Sequence, residues 1–321
     1  MEKNKIDSFE KMTSDMKNVV DFEIRQNQKL FAESPIAVND KEAYIISRKF
    51  WNQDGPEVYR TIEESINGPY GDILFRIYYP NEKPNNKCII YIHGGGFTVG
   101  NIDTHDGIIR RLAQETGAII IGIDYRLSPE YKFPVPIKEC ETLVEYIHEY
   151  GAKYQIDKGN ISLAGDSAGA YLSLAVTLYL RDKRPDISNI KSLLLYYGAY
   201  GLKDSMSQRL FGGYWDGLTL EALHGYNKSF TNQEDEDSPY RLLFNSDLTY
   251  GIPPSYILAC ELDPLLDDSK LLHQILRAHG TTTKLEIFNG VIHAFLHYSR
   301  MLPQSMEAIT RSAEFYNIYT S

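Results

Sequence analysis

What most constrains this chain is a rhythm in which short, mainly apolar runs alternate with segments of helical length. The runs are Cys88 to Ile92, Ala118 to Ile123, Ile161 to Ala164, Leu193 to Tyr197, Tyr256 to Ala259 and Leu285 to Phe288. A strand covered on both faces reads as a continuous apolar run, because neither set of alternating side chains meets water. Between the runs lie Asp106 to Thr116, Pro136 to Tyr150, Ala168 to Arg181, Asp268 to His279 and finally Ser305 to Tyr319, each with helical period. Strand and helix repeated in this order predict an α/β fold, with a mostly parallel sheet and helices on both faces. Upstream, Val58 to Ile66 and Ile73 to Tyr79 are β-rich and flank Asn67-Gly68-Pro69-Tyr70-Gly71. That turn chemistry predicts a hairpin and brings the sheet to eight strands.

Two regions stand outside the rhythm. Ile6, Phe9, Met12, Met16, Val19 and Val20 recur at three- and four-residue steps, and Asp7 with Glu10 has capping-box spacing, so one amphipathic helix is expected to open the chain. The long interval from Gly198 to Ser255 carries Phe211, Tyr214, Trp215, Tyr226 and Phe230 around Gly212-Gly213, which is too aromatic for a disordered linker. The expected organisation is therefore N-terminal cap helices over residues 1–50 and an α/β core over 51–321, with a second cap insertion at about 200–250. A helical cap so placed covers the carboxyl edge of the sheet, where open α/β folds bind ligands. Glu234-Asp235-Glu236-Asp237 within the insertion reads as a solvated loop.

Composition narrows the function classes. Hydrophobic residues at 43% and charged residues at 24% suit an ordinary folded chain and exclude collagenous or disordered classes. A formal charge of -10, without a basic cluster to neutralise phosphates, argues against nucleic acid as a ligand. Cys88, Cys140 and Cys260 are scattered and form no C-x-x-C pair, so neither a disulfide framework nor a cysteine zinc site is indicated. The first residues lack the apolar core of a secretory signal, and no run approaches the roughly 20 apolar residues of a membrane span. A cytoplasmic protein without a membrane partner is expected.

The sharpest local signal is Gly165-Asp166-Ser167-Ala168-Gly169, which follows one strand-like run and opens a helical segment. Three fixed positions of this kind match by accident about 0.1 times in such a length, before the strand and helix are demanded. A serine on a strained strand-to-helix turn needs small neighbours, and the strain exposes its Oγ above a helix N-terminus. The bland alternative is a serine N-cap between chance glycines. A second signal, His93-Gly94-Gly95-Gly96-Phe97, follows the strand Cys88 to Ile92. Such a turn can aim the Gly94 and Gly95 N–H groups, together with that of Ala168, at an oxyanion developing during acyl transfer. A plain turn or a phosphate loop would use the same glycines, but no nucleotide-binding fingerprint occurs in the chain.

A nucleophilic serine needs a base and the base an orienter, which in this fold follow in the order Ser, Asp or Glu, His. His293 is the histidine directly after the last expected strand. His293 and His297, four apart, could instead ligate a metal, but no carboxylate or cysteine clusters with them in sequence, so no metal is expected and His297 is read as packing or capping a helix. Glu261, Asp263, Asp267 and Asp268 follow the strand Tyr256 to Ala259. Asp263 precedes Pro264, which keeps it out of a helix, whereas Asp267 and Asp268 suit the first turn of the next one. Asp263 is the preferred orienter and Glu261 the second choice.

At these residues the sequence resembles the hormone-sensitive-lipase-like branch of the α/β-hydrolases, and within it the bacterial cytoplasmic acetyl esterases. The resemblance spans nearly the whole chain and rests on five segments in the family's order: His93 to Phe97, Asp124-Tyr125-Arg126-Leu127-Ser128-Pro129-Glu130, Gly165 to Gly169, Asp263-Pro264-Leu265 and His293-Ala294-Phe295. The family usually carries Ala where Ser128 stands. The resemblance implies Ser167 as nucleophile, His293 as base, Asp263 as orienter and His93, Gly94, Gly95 and Ala168 around the oxyanion. It also implies hydrolysis of a small-molecule ester with a short acyl chain, through an acyl-enzyme and without cofactor or metal. A binding role toward a transcriptional activator of maltose utilisation is a further implication, and amide or peptide hydrolysis on the same triad is the chemical alternative. Apolar stripes on the cap would suit a homodimer. Phe97, Phe211, Tyr214 and Trp215 are candidates for a substrate pocket, with core packing the competing role.

Overall fold

The computed structural model describes residues 4–33, 40–53, 55–213 and 215–320. An eight-stranded sheet forms the centre, built from β1 (Arg60–Gly68), β2 (Gly71–Tyr79), β3 (Cys88–Ile92), β4 (Ile119–Asp124), β5 (Ile161–Asp166), β6 (Leu193–Tyr196), β7 (Ser255–Cys260) and β8 (Thr283–Phe288). Their spatial order is β1-β2-β4-β3-β5-β6-β7-β8. The hairpin β1–β2 is antiparallel, with Gly68 opposite Gly71, and β2 pairs antiparallel with β4; every later pairing is parallel.

Period-two geometry explains why the central strands are apolar throughout. In β3 the side chains of Cys88, Ile90 and Ile92 enter one core while Ile89 and Tyr91 enter the other. The first core is closed by α5 (Val135–Tyr150) and α6 (Ala168–Lys183), and the second by α4 (Ile102–Thr116) and α10 (Pro303–Tyr319). Each Ile or Leu wholly buried in this way contributes about 1.5–3 kcal/mol of transfer free energy. The strand β8 departs from the expectation of two covered faces. It is an edge strand, only Phe288 in it is buried, and Ile287 is 39% exposed.

The N-terminal segment also departs from expectation. One opening helix was expected, but the chain forms α1 (Ser8–Lys11) and then α2 (Ser14–Glu33). Asp7 accepts from the Phe9 N–H at 3.0 Å, and Thr13 Oγ1 accepts from the Met16 N–H at 3.2 Å, so a second N-cap interrupts the first helix. The Thr13 N–H donates to the Gly290 carbonyl and fixes the break against the loop after β8. Met12, Met16, Val19 and Val20 are buried all the same, in the core that also holds Val291, Ile292 and Phe295. Next comes α3 (Asp40–Trp51), whose Trp51 donates its ring N–H to Glu23 at 2.6 Å.

The interval between β6 and β7 folds into α7 (Met206–Leu210), α8 (Leu220–Phe230) and short turns. It is tied to the N-terminus by the Ile6 N–H on the Leu210 carbonyl and by Phe9 stacked on Trp215 at 4.8 Å. Asp267 and Asp268, in the first turn of α9 (Leu266–Ala278), hold its start. Asp267 accepts from the Ser207 N–H and Asp268 from the N–H groups of Tyr200, Gly201 and Leu202. Tyr214 lies outside the described residues. Among the described residues, no helix is long and apolar enough to cross a membrane.

Candidate active site

Four parallel strands deliver their following residues to one edge of the sheet. Ser167 comes directly after β5 with φ 53°, a left-handed value uncommon for a residue with a side chain. The two flanking glycines make that turn possible. A Cβ at Gly165 would lie 2.5 Å from the Ile92 carbonyl oxygen, and one at Gly169 would collide with the same group. The turn therefore packs directly against the end of β3, and α6 starts immediately behind the serine.

His293 sits in the loop after β8 and Asp263 in the loop after β7. His293 Nε2 lies 2.9 Å from Ser167 Oγ, and His293 Nδ1 lies 2.7 Å from Asp263 Oδ2. With Asp263 ionised, Nδ1 carries the proton and donates to the carboxylate, which leaves Nε2 to accept from the serine hydroxyl. Asp263 is fully buried, and its other oxygen accepts the Leu265 N–H at 2.8 Å, which fixes the carboxylate plane. Burial alone would lower the pKa of His293, yet it is raised above the ordinary value, because the charge and hydrogen bond of Asp263 outweigh burial, with Asp216 and Asp166 adding to them. Glu261, the second choice from sequence, is spent elsewhere, accepting the Gly290 N–H at 2.7 Å.

The glycine turn differs in one respect from expectation. The Gly94 N–H donates to Asp166 Oδ1 at 3.0 Å and so is not free to meet a substrate oxygen. His93 is buried, stacks on Tyr125 at 4.3 Å between ring centroids and accepts the Tyr125 hydroxyl on its carbonyl. Burial, with His105 beside it, lowers its pKa to about 3, so its ring stays neutral. Gly95 and Gly96, both with positive φ, line the main cavity together with Ser167 and Ala168. The physical reason for the difference is a group that sequence reasoning passed over inside its own strongest motif. Asp166 accepts from Gly94 and from the Tyr91 hydroxyl at 2.8 Å, and His105 Nε2 stands 3.4 Å away. Its carboxyl is held below the usual range: burial would raise its pKa, but His105, His297 and Tyr91 more than offset that.

His105, Asp166 and His297 together are the one group of possible metal ligands found among the described residues, with ligand atoms within 4.8 Å of one another. The carboxylate that His297 lacks in sequence is thus supplied by Asp166 through the fold. Tetrahedral zinc, with Zn–N of about 2.0–2.1 Å, needs its donors roughly 3.4 Å apart. Burial and the nearby Arg48 push the His297 pKa well down, and a cation next to that guanidinium would be repelled. The group is accordingly read as a buried polar cluster that packs beneath the turn.

A cavity of about 940 Å³ opens beside Ser167 and His293. Phe97 lines it and lies stacked on Phe230 at 3.8 Å, with Tyr171 edge-on at 5.3 Å. Trp215 and Phe211 instead pack against the second core. Asp216 and Arg48 also reach the cavity wall, and neither carried a sequence signal, because each becomes interesting through its neighbours alone. Ser128, the departure from the usual Ala, is buried and donates to the Tyr131 carbonyl at 3.1 Å.

A mostly parallel sheet with serine, histidine and carboxylate meeting at its carboxyl edge defines the class of α/β-hydrolases. Residues 89–297 match the family described as alpha/beta hydrolase fold. Acetyl esterases of Salmonella paratyphi A (strain ATCC 9150 / SARB42) and Salmonella agona are 44% identical over 314 residues, covering 98% of this chain and 96% of theirs. Among solved structures, the hyperthermophilic esterase of Pyrobaculum calidifontis superposes with a TM-score of 0.82 at 30% identity, over 87% of this chain and 92% of that one. An ester-hydrolase from the metagenome of Lake Arreo gives 0.85 at 26%, over 96% and 98%. The chain belongs to the hormone-sensitive-lipase-like branch of the α/β-hydrolase family and is a carboxylic ester hydrolase.

Proposed function

We propose that this chain is a serine esterase of short acyl chains, with Ser167 as nucleophile, His293 as general base and Asp263 as its orienter. The observation that carries the reading is the continuous chain from Ser167 Oγ to His293 at 2.9 Å and on to Asp263 at 2.7 Å, beside an accessible cavity. His293 removes the serine proton as Oγ attacks the ester carbonyl, and Asp263 stabilises the imidazolium that forms. The alcohol leaves with that proton, and water repeats the sequence on the acyl-enzyme. The oxyanion is received by backbone N–H groups of the glycine turn and of Ala168. Since Gly94 is committed to Asp166, the turn acts through Gly95 and Gly96, with His93 and Gly94 as its support. Each such donor is worth roughly 2.7–4 kcal/mol of transition-state stabilisation.

The helices before residue 52 and the interval from 200 to 250 act as a cap over this edge, which the lining of the cavity by Tyr44, Leu218 and Tyr226 supports. Preference for acetyl-type esters is supported by the names of the relatives. The experiment is a series of p-nitrophenyl esters from acetate to dodecanoate on wild type and Ser167→Ala. Turnover that peaks at short chains and vanishes in the variant is expected. Turnover that persists in the variant, or rises toward dodecanoate, overturns the reading.

A further inference from the structure

The cavity wall contains a buried cation. Arg48, on α3, is 7% exposed, and its Nε and one terminal nitrogen are buried without a hydrogen-bond partner. Among the described residues, no carboxylate oxygen forms an ion pair with it within 4.0 Å. What holds the guanidinium is aromatic: its centre lies 4.7 Å from the Tyr44 ring and 5.7 Å from the Tyr298 ring. The nearest formal charges are poor partners. Glu23 acts on it across a distance, with its carboxylate accepting the Trp51 ring N–H. Asp216 accepts the Gly213 and Leu218 N–H groups, and its pKa is raised by burial.

A cation kept charged and desolvated is costly unless something returns the lost solvation, and an arginine fork is shaped for a carboxylate. Its position indicates where that carboxylate would come from. Arg48 lines the main cavity and also a smaller one of about 290 Å³, and the two cavities share Arg48, Asp216, His293 and Ala294. The two cavities therefore adjoin at Arg48, and within the larger one Arg48 and Ser167 line the same space. We infer that Arg48 is a specificity-determining residue and that the preferred substrates are esters carrying a carboxylate on the acyl or the alcohol side. This inference rests on the proposed serine-esterase reading of the same site.

The test compares isosteric pairs. On the acyl side these are the 4-nitrophenyl monoester of succinate and 4-nitrophenyl 4-oxopentanoate; on the alcohol side, acetoxyacetate and acetoxyacetone. The readout is the anionic-to-neutral ratio of kcat/KM within each enzyme form, so a general loss of activity cancels. In Arg48→Met the ratio is expected to fall at least tenfold for one pair, and that pair identifies the side that bears the charge. Ratios unchanged by the substitution for both pairs overturn the inference. Should Arg48→Met fail to fold, inhibition of wild type decides: succinate should inhibit at least tenfold more tightly than succinamide, and equal inhibition overturns the proposal. Failure of the parent reading looks different, because Ser167→Ala would then hydrolyse these esters as wild type does.

Discussion

Asp166 Oδ1 accepts the Gly94 N–H at 3.0 Å, so the residue just before Ser167 clamps the glycine turn that faces it. The same oxygen receives the Tyr91 hydroxyl from the middle strand, which ties turn, strand and elbow into one unit. The spacing between the serine and the backbone donors of the turn is thus set by a buried carboxylate that need not touch substrate.

Replacing that carboxylate should cost both activity and stability. Asp166→Ala leaves the buried Gly94 N–H and Tyr91 hydroxyl without a partner, at about 1–3 kcal/mol each. A drop of roughly 10²-fold in kcat is expected, the size of a displaced oxyanion donor, with KM little changed. Thermal melting and steady-state kinetics on the variant check it; wild-type kcat would show that the clamp does not set the turn.

The acid limb of the pH profile has a definite direction. As the proposed base, His293 must be neutral to take the serine proton, and its pKa is raised by Asp263 against the pull of burial. The neutral fraction therefore shrinks as pH falls through a value above the ordinary histidine pKa of about 6.5. kcat/KM should decline with an apparent pKa above that value, as measured with a substrate that does not ionise. A profile flat down to pH 5 would contradict the assignment of the base.

The two acidic candidates after β7 separate cleanly. Asp263→Asn keeps the shape but favours the wrong tautomer of His293, and about a 10⁴-fold loss in kcat is expected by analogy with other triads. Glu261→Gln keeps an oxygen that accepts the Gly290 N–H and removes only the charge, so it should change kcat by less than tenfold. Parallel kinetics of the two variants would reveal a reversed order, if there is one.

The thiols should be silent in the folded protein. Cys88, Cys140 and Cys260 are all buried, and burial pushes each thiol pKa up, which removes the reactive thiolate. Titration with a chromogenic disulfide at pH 8 should detect none before denaturation and all three after it. A thiol that reacts at once in the native state would show that its strand opens to solvent.

Much of this architecture was legible because one physical rule dominated each decision. Two-sided burial made β3 to β7 continuous apolar runs, and the steric need for small neighbours marked Gly165 and Gly169 around Ser167. What escaped the sequence depends on partners distant along the chain. The opening helix breaks because Thr13 caps a new one against Gly290, which periodicity alone cannot reveal. The strand β8 is half exposed because it ends the sheet, a matter of spatial order. The diversion of the Gly94 N–H to Asp166, and the isolation of Arg48 in an aromatic setting, follow from residues some 70 and 250 positions away along the chain.

The proposed attacking atom is Ser167 Oγ. The most direct measurement is to treat the protein with a stoichiometric alkyl phosphonate ester and to map the adduct by peptide mass spectrometry, with loss of esterase activity followed in the same sample. One adduct per chain is expected, on Ser167, formed in step with the loss of activity and absent from His293→Ala. Full inactivation with Ser167 unmodified, or an adduct on another residue, would contradict it.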